Sequence, residues 1–151
     1  MGEEWKVIRL DQSSLKEAHV FLERIFTQEQ HIPKHLIPPP SNEQRWWCIR
    51  KNDKIIATVA AWKIKNEWHW GRLAVDPNER GHGWSKKIAH TSFKELFESG
   101  IGQVIIDARD ITVHLLKSIG AEITGPTDEF YGFPITPMLL RKDAFDSSIN
   151  A

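Results

Sequence analysis

The sequence predicts a mixed α/β fold in which helices cover a central sheet. Three observations lead there. Residues 45–75 read as three consecutive strands joined by the two-residue turns Asn52–Asp53 and Lys65–Asn66, the pattern of an antiparallel meander. Stretches with helical spacing stand on both sides of that meander, so helices are available to cover it. Beyond residue 100, short apolar strands alternate with a further helix, which makes the layout mixed rather than purely antiparallel.

Each element has its own signal. Residues 5–10 alternate apolar and polar and read as a strand. Asp11 and the Ser13–Ser14 pair can cap a helix in which Leu15, Ala18, Phe21, Leu22, Ile25 and Phe26 keep helical spacing. Residues 31–41 hold Pro33 and Pro38–Pro39–Pro40. Proline fixes φ and removes a backbone donor, so an irregular loop is expected there. Strands follow over 45–50, 54–64 and 67–75, and Pro77 ends the last. A helix over 83–98 is expected to bury Ile88, Phe93, Leu96 and Phe97 and to close at Ser99–Gly100. Residues 103–108 are nearly all apolar, as in a strand buried on both faces. A short helix over 110–118 ends at Gly120, and strands are expected near 121–124 and 136–141. The polar tail over 143–151 is expected to fray.

A length of 151 residues, with no internal repeat or linker, suits one domain over 1–142. Twenty basic and 20 acidic side chains cancel, which removes the charge argument for a nucleic-acid partner. No apolar run approaches the roughly 20 residues that span a bilayer. The first ten residues, with two acids and no apolar core, do not read as a secretory signal. A single cysteine, Cys48, fits a reducing cytoplasm. Tryptophan is abundant, seven against one Tyr, which fits a thick core or a pocket wall for a flat or apolar ligand. Trp46, Trp47, Trp62, Trp68 and Trp70 all fall on the meander. Most are expected in the core, with one or two lining a pocket.

The chemically informative stretch is Leu73-Ala-Val-Asp-Pro-Asn-Glu-Arg-Gly-His-Gly-Trp-Ser-Lys-Lys87. An apolar strand runs into a turn with two glycines, and an amphipathic helix starts at once. Glycine lets a ligand approach the backbone closely. The first turn of a helix offers N–H groups and a positive dipole end, so strand, turn and helix together make a diphosphate cradle. Arg80 adds a charge-assisted donor, Ser85 a hydroxyl, and Lys86 and Lys87 further positive charge. The spacing fits neither the P-loop, which ends in Gly-Lys-Ser/Thr, nor the three-glycine dinucleotide pattern. A bare Gly-x-Gly also serves as a plain strand-to-helix turn. Here the preceding Val-Asp-Pro, the arginine and the basic helix start favour the cradle.

This stretch resembles the acetyl-CoA signature of the GNAT superfamily of N-acetyltransferases, Arg/Gln-x-x-Gly-x-Gly/Ala after a strand ending Leu-x-Val-x-Pro. Arg80 and Gly83 match, and Ser85 stands in for the final small residue. Residues 107–121 resemble the family's next strand and helix, with Gly120 matching and Ala121 in place of an aromatic. Residues 128–138 resemble the C-terminal strand of a small bacterial subgroup. The resemblance implies a mostly antiparallel sheet splayed between its fourth and fifth strands. Backbone near Leu73, Ala74 and Val75 would hold the pantetheine arm, and Arg80, Gly81, His82, Gly83, Trp84 and Ser85 the pyrophosphate. It implies acetyl-CoA as co-substrate and an amine acceptor that attacks the thioester directly. His31, His35, His90 and His114 show no metal-ligand spacing with other His, Cys or carboxylates, so no metal is expected. The assembly is left open between a monomer and a homodimer.

Direct transfer needs a proton acceptor for the amine. His69 is the candidate, with Glu67 as its alternative. Strand alternation puts residues 67, 69, 71, 73 and 75 on one face, and His69 falls where the arylalkylamine acetyltransferases carry a histidine, four residues before Leu-Ala-Val. Read without that resemblance, His69 is also a reasonable half-buried structural histidine, and Glu67 a solvated strand-end carboxylate. Leu116 replaces the tyrosine that many family members are proposed to use as the acid for the departing thiolate. Tyr131, the lone tyrosine, is the substitute donor if solvent is not. Two functions follow as expectations: an N-acetyltransferase working through a ternary complex, or a CoA-binding module with little turnover.

Overall fold

The structure is a computed structural model that describes residues 5–25, 43–130 and 133–149. Eight strands form one sheet: β1 (Trp5–Arg9), β2 (Gln44–Lys51), β3 (Lys54–Ile64), β4 (Glu67–Val75), β5 (Gln103–Arg109), β6 (Glu122–Ile123), β7 (Asp128–Phe130) and β8 (Phe133–Arg141). Their order is β1-β2-β3-β4-β5-β8-β6, with β7 pairing on β8. Among the described residues four α-helices accompany it: α1 (Gln12–Glu23), α2 (Trp84–Glu98), α3 (Asp110–Ser118) and α4 (Lys142–Ile149). The sheet is mostly antiparallel, as the meander predicts. The parallel pair is β4 with β5, in register at His69–Ile105 and Trp70–Ile106. None of the described helices is long and apolar enough to cross a membrane.

The turn chemistry explains the meander. Asn52 and Asp53 have φ of 53° and 68°, and Lys65 and Asn66 have φ of 50° and 67°. Paired left-handed residues give a two-residue turn the twist that adjacent strands need.

The chain divides into two compact units. The first comprises Met1–Trp62 and Arg72–Ser92. The Asp11 carboxylate caps α1 by accepting the Ser14 N–H at 3.0 Å, which satisfies one of the orphan donors of a helix start. Ala18, Phe21, Leu22 and Ile25 then bury against Trp46, Cys48, Ile55, Ala60 and Ala74. Phe26, expected on the same stripe, lies outside the described residues, as does the proline-rich segment.

The second unit comprises Lys63–Gly71 and Phe93–Ala151. Its centre is aromatic. Trp70 stacks on Phe93 at 4.5 Å between ring centroids, and Phe145 meets Phe97 at 5.4 Å and Phe93 at 6.2 Å. The frayed tail expected from residue 143 is corrected by this packing: over Lys142–Ile149 it is α4, and Phe145 is buried. One large aromatic per two turns buries enough apolar area to hold an otherwise polar segment. The reading of residues 103–108 as buried on both faces is corrected too. Val104, Ile106 and Ala108 are buried while Gln103 and Asp107 are exposed, so β5 alternates. The strands expected at 121–124 and 136–141 are the short β6 and the longer β8, and β7 was not anticipated.

Both α2 and α3 end in the same hydrogen-bonded turn. Ile101 and Gly100 N–H donate to the Leu96 and Phe97 carbonyls, and Ala121 and Gly120 N–H donate to the Leu116 and Lys117 carbonyls. Gly100 and Gly120 supply the positive φ, 104° and 105°, that such a helix end requires. They differ in surroundings. A Cβ on Gly120 would lie 2.7 Å from the Ala144 carbonyl oxygen of α4, whereas one on Gly100 would meet nothing within 4 Å. Gly120→Ala is therefore expected to cost at least about 2 kcal/mol, from strain plus a backbone clash, and Gly100→Ala about 1 kcal/mol from strain alone. Urea denaturation of the two variants checks the ranking. Equal losses would mean that the Gly120–Ala144 approach is not tight.

Candidate functional site

The glycine turn lies in the first unit, built on the end of β4. Leu73 is half-buried, and Ala74 and Val75 are buried. Asp76 follows, and a single 3-10 turn, Pro77–Glu79, leads to Arg80. Gly81 and Gly83 take φ of 88° and 76°, and a Cβ on either would meet nothing within 4 Å. Backbone conformation, not crowding, is what asks for glycine at both positions, and the space in front of them is open. Arg80, Gly81, His82 and Gly83 are exposed.

The turn feeds directly into α2. The first intrahelical bond runs from Lys87 N–H to the Gly83 carbonyl at 3.2 Å. The N–H groups before it point along the axis out of the helix N-terminus, where the dipole is positive. Trp84 is buried and anchors this end, with the Lys87 ammonium 4.6 Å from its ring centroid. Ser85 is half-buried, and Lys86 and Lys87 are exposed beside it. Every cofactor-binding position expected from the sequence, Leu73 to Val75 and Arg80 to Ser85, thus falls in one compact stretch of strand, turn and helix. The stretch offers an open turn, the positive end of a helix and the cationic side chains of Arg80, Lys86 and Lys87, features suited to an anion.

Two features of this stretch were not foreseen. The first is Asp76, which is 2% exposed. Its Oδ1 accepts the Asn78 N–H at 2.9 Å, and its Oδ2 accepts the Arg24 guanidinium at 3.1 Å. Burial pushes the carboxyl's pKa up. The Asn78 N–H, the Arg24 hydrogen bond and the charges of Arg24 and Lys54 outweigh that and hold it below the usual aspartate value. An aspartate before proline is a legible turn signal, but nothing in the sequence pairs it with Arg24.

The second is Arg72, which sits within β4 at a φ of 60°. A left-handed residue interrupts regular strand alternation, so the single face expected for residues 67 to 75 does not follow. The Arg72 guanidinium lies 4.9 Å from the Trp62 ring centroid.

Glu67 and His69 lie in the second unit, on the earlier part of β4. Glu67 is exposed and His69 half-buried. Tyr131 lies outside the described residues. Leu116 is fully buried, so a tyrosine there would overpack the core rather than present a hydroxyl. Of the five meander tryptophans, Trp46, Trp47 and Trp70 are core, and Trp62 and Trp68 are half-buried. Cys48 is buried and its thiol is pushed up to about 11, chiefly by burial, which makes it a poor nucleophile. Among the described residues, no three His, Cys, Asp or Glu side chains are grouped to hold a metal ion.

The family model of the acetyltransferase (GNAT) family matches residues 9–121. Among curated protein sequences none matches this chain. Solved structures of similar fold include Escherichia coli ElaA, with a TM-score of 0.78 and 20% identity over 91% of this chain and 99% of that one. An acyl-CoA N-acyltransferase from Pseudomonas aeruginosa has a TM-score of 0.77 and 12% identity over 91% and 99%. The spermidine N-acetyltransferase of Vibrio cholerae, solved with CoA and spermine, has a TM-score of 0.68 and 15% identity over 93% and 97%.

The Arg72 backbone gives a direct test of the local geometry. In an ordinary strand valine is preferred to glycine. At φ of 60° a β-branched residue is badly strained and glycine is not. Arg72→Val is therefore expected to be less stable than Arg72→Gly, by about 1–2 kcal/mol, when both are unfolded in denaturant. The usual order, valine above glycine, would show that residue 72 is not held left-handed.

Proposed function

Because this chain belongs to the acetyltransferase (GNAT) family and is an acyl-CoA-dependent N-acyltransferase, we propose that it moves an acetyl group from acetyl-CoA directly to a primary amine in a ternary complex. The observation that carries this reading is the open turn with two left-handed glycines, running into the positive end of α2 beside Arg80, Lys86 and Lys87. It suits the pyrophosphate of CoA, and the backbone of Leu73 to Val75 suits the pantetheine arm. Residues 1–142 act in this proposal as one catalytic domain. The buried free thiol of Cys48 fits a cytoplasmic setting.

In the proposed reaction the amine nitrogen attacks the thioester carbonyl, a C–N bond forms and the C–S bond breaks. His69 accepts the amine proton, directly or through water, with Glu67 as the alternative. Solvent protonates the departing thiolate, with Tyr131 as the alternative donor. No covalent enzyme intermediate is needed, which suits the inert Cys48. The acceptor is left as a primary amine.

Two tests bear on this. Arg80→Ala removes a charge-assisted donor worth roughly 1.5–3 kcal/mol, so acetyl-CoA affinity by calorimetry should fall about tenfold or more. Gly83→Val, which cannot keep the turn's φ, should weaken binding as well. Undiminished affinity in both variants would remove the cradle assignment.

The second test concerns the base. His69→Ala should lower turnover on the order of 10²–10⁴-fold while acetyl-CoA affinity stays close to wild type. Turnover is read as thiol release with a panel of amines. Near-normal turnover would transfer the role to Glu67 or water. Tight acetyl-CoA binding by the wild type with no thiol release for any amine would instead favour a CoA-binding module with little turnover.

A further inference from the structure

The turn that delivers Arg80 is fastened at both ends by groups the proposed chemistry does not use. At its start, each polar atom of Asp76 has a hydrogen-bond partner. The backbone N–H donates to the Ile56 carbonyl at 2.8 Å, and the carbonyl accepts the Glu79 N–H at 2.8 Å. One carboxylate oxygen accepts the Asn78 N–H at 2.9 Å and the other the Arg24 guanidinium at 3.1 Å. At its end, Glu79 pairs with Lys51 of β2 at 2.8 Å. Arg80 is the next residue, and Gly81 to Gly83 follow, with the Gly83 carbonyl accepting the Lys87 N–H of α2 at 3.2 Å.

The two ion pairs are not equivalent. In the Arg24–Asp76 pair the aspartate side chain is 3% exposed and the arginine side chain 45% exposed. In the Lys51–Glu79 pair both side chains are partly exposed, at 17% and 20%. A buried carboxylate stripped of its partner is different, because it must take a proton, recruit water or leave its pocket. Each of these outcomes disturbs the acceptor on which the Asn78 N–H, and so the 3-10 turn, depends. Arg24 is held by its own element: it continues the helical conformation past Glu23, with φ of −58° and ψ of −47°, and its guanidinium lies 5.4 Å from the Phe21 ring centroid.

We propose that the Arg24–Asp76 pair positions the acyl-CoA cradle, so that acyl-CoA affinity depends on the last turn of α1. Arg24 and Asp76 are positioning residues here, acting on the ligand through the backbone of Pro77 to Gly83. The inference rests on the reading of that turn as the acyl-CoA site. It goes beyond that reading by assigning a function to two residues 52 positions apart, neither of which belongs to the glycine signature.

The decisive variant is Asp76→Asn. Acetyl-CoA is an anion, so by charge alone, losing a carboxylate near the cradle strengthens its binding. Loss of a positioning contact weakens it. Acetyl-CoA affinity is measured by calorimetry for the wild type, Asp76→Asn, Arg24→Gln and Arg24→Lys, with melting temperature and near-UV circular dichroism recorded for each. The expected result is a loss of about tenfold in both Asp76→Asn and Arg24→Gln, with Arg24→Lys recovering most of it.

Affinity within threefold of wild type, or tighter binding by Asp76→Asn, overturns the proposal, even where melting temperature falls. If Arg24→Gln does not fold, Asp76→Asn carries the comparison, since asparagine keeps an uncharged acceptor for the Asn78 N–H. A wild-type protein that does not bind acetyl-CoA overturns the cradle reading itself. Normal wild-type binding with unaffected variants overturns only the role of the pair.

Discussion

The buried carboxylate of Asp76 is the constraint from which the rest of the site follows. Taking a charged group out of water costs several kcal/mol, and the cost is recovered only when its lone pairs are met with good geometry. Here they are met by a backbone N–H two residues on and by a guanidinium from α1. The consequence is geometric. With the Asp76 N–H fixed to the Ile56 carbonyl, β4 ends at a defined place beside β3. The chain then reaches Arg80 by a single 3-10 turn rather than by a wandering loop. A cradle for an extended anion needs its donors in place before the ligand arrives, since donors that must be ordered on binding reduce the affinity they provide.

The chain departs from regular backbone on both sides of Leu73 to Val75. Arg72 is left-handed before them, and Gly81 and Gly83 are left-handed after them. The glycines adopt that conformation at little cost. Arg72 does not, since a left-handed L-residue carries a penalty of roughly 1–2 kcal/mol. Its contact with the Trp62 ring is the kind of cation–π interaction that offsets such a penalty. Strain of this sort persists only where the surroundings over-determine it. Trp62 is itself packed against the buried cluster beneath α1. A half-buried tryptophan that reads from sequence as core or pocket wall thus also packs against the guanidinium of a left-handed residue.

The sequence is legible where structure is dictated locally. Asn52–Asp53 and Lys65–Asn66 announce their turns because two adjacent left-handed residues are needed and asparagine tolerates that conformation. The stripe from Leu15 to Ile25 and the cap at Asp11 announce α1, and the glycines announce the left-handed turn that leads into α2. What escapes is whatever depends on a partner far along the chain. Arg24 and Asp76 each look ordinary alone. Arg72 looks like a strand residue, since only tertiary contacts make it left-handed. The tail from residue 143 looks polar because one aromatic, Phe145, supplies the packing that makes it α4. Residues 103–108 look buried on both faces because Ile105 fills a position that the alternation leaves half-exposed.

Leu116 shows how packing bears on chemistry. Its side chain is fully buried, and its carbonyl accepts both the Ile119 and the Ala121 N–H at the end of α3. The position where the family resemblance implies a phenol is thus occupied by hydrocarbon, in a turn whose glycine already has no room for a Cβ. A hydroxyl there would need a partner that an apolar surround does not supply. The leaving group makes this tolerable. A thiol is near-neutral in acidity, unlike an alcohol, so its anion departs without a proton delivered in the same step, and a general acid has correspondingly less to contribute. In the proposed reaction, transfer to an amine then needs a fixed site for the acyl donor and a route for the amine proton. On that proposal the burden of catalysis moves from acid assistance to positioning, the role assigned to the Asp76 carboxylate and the left-handed turn.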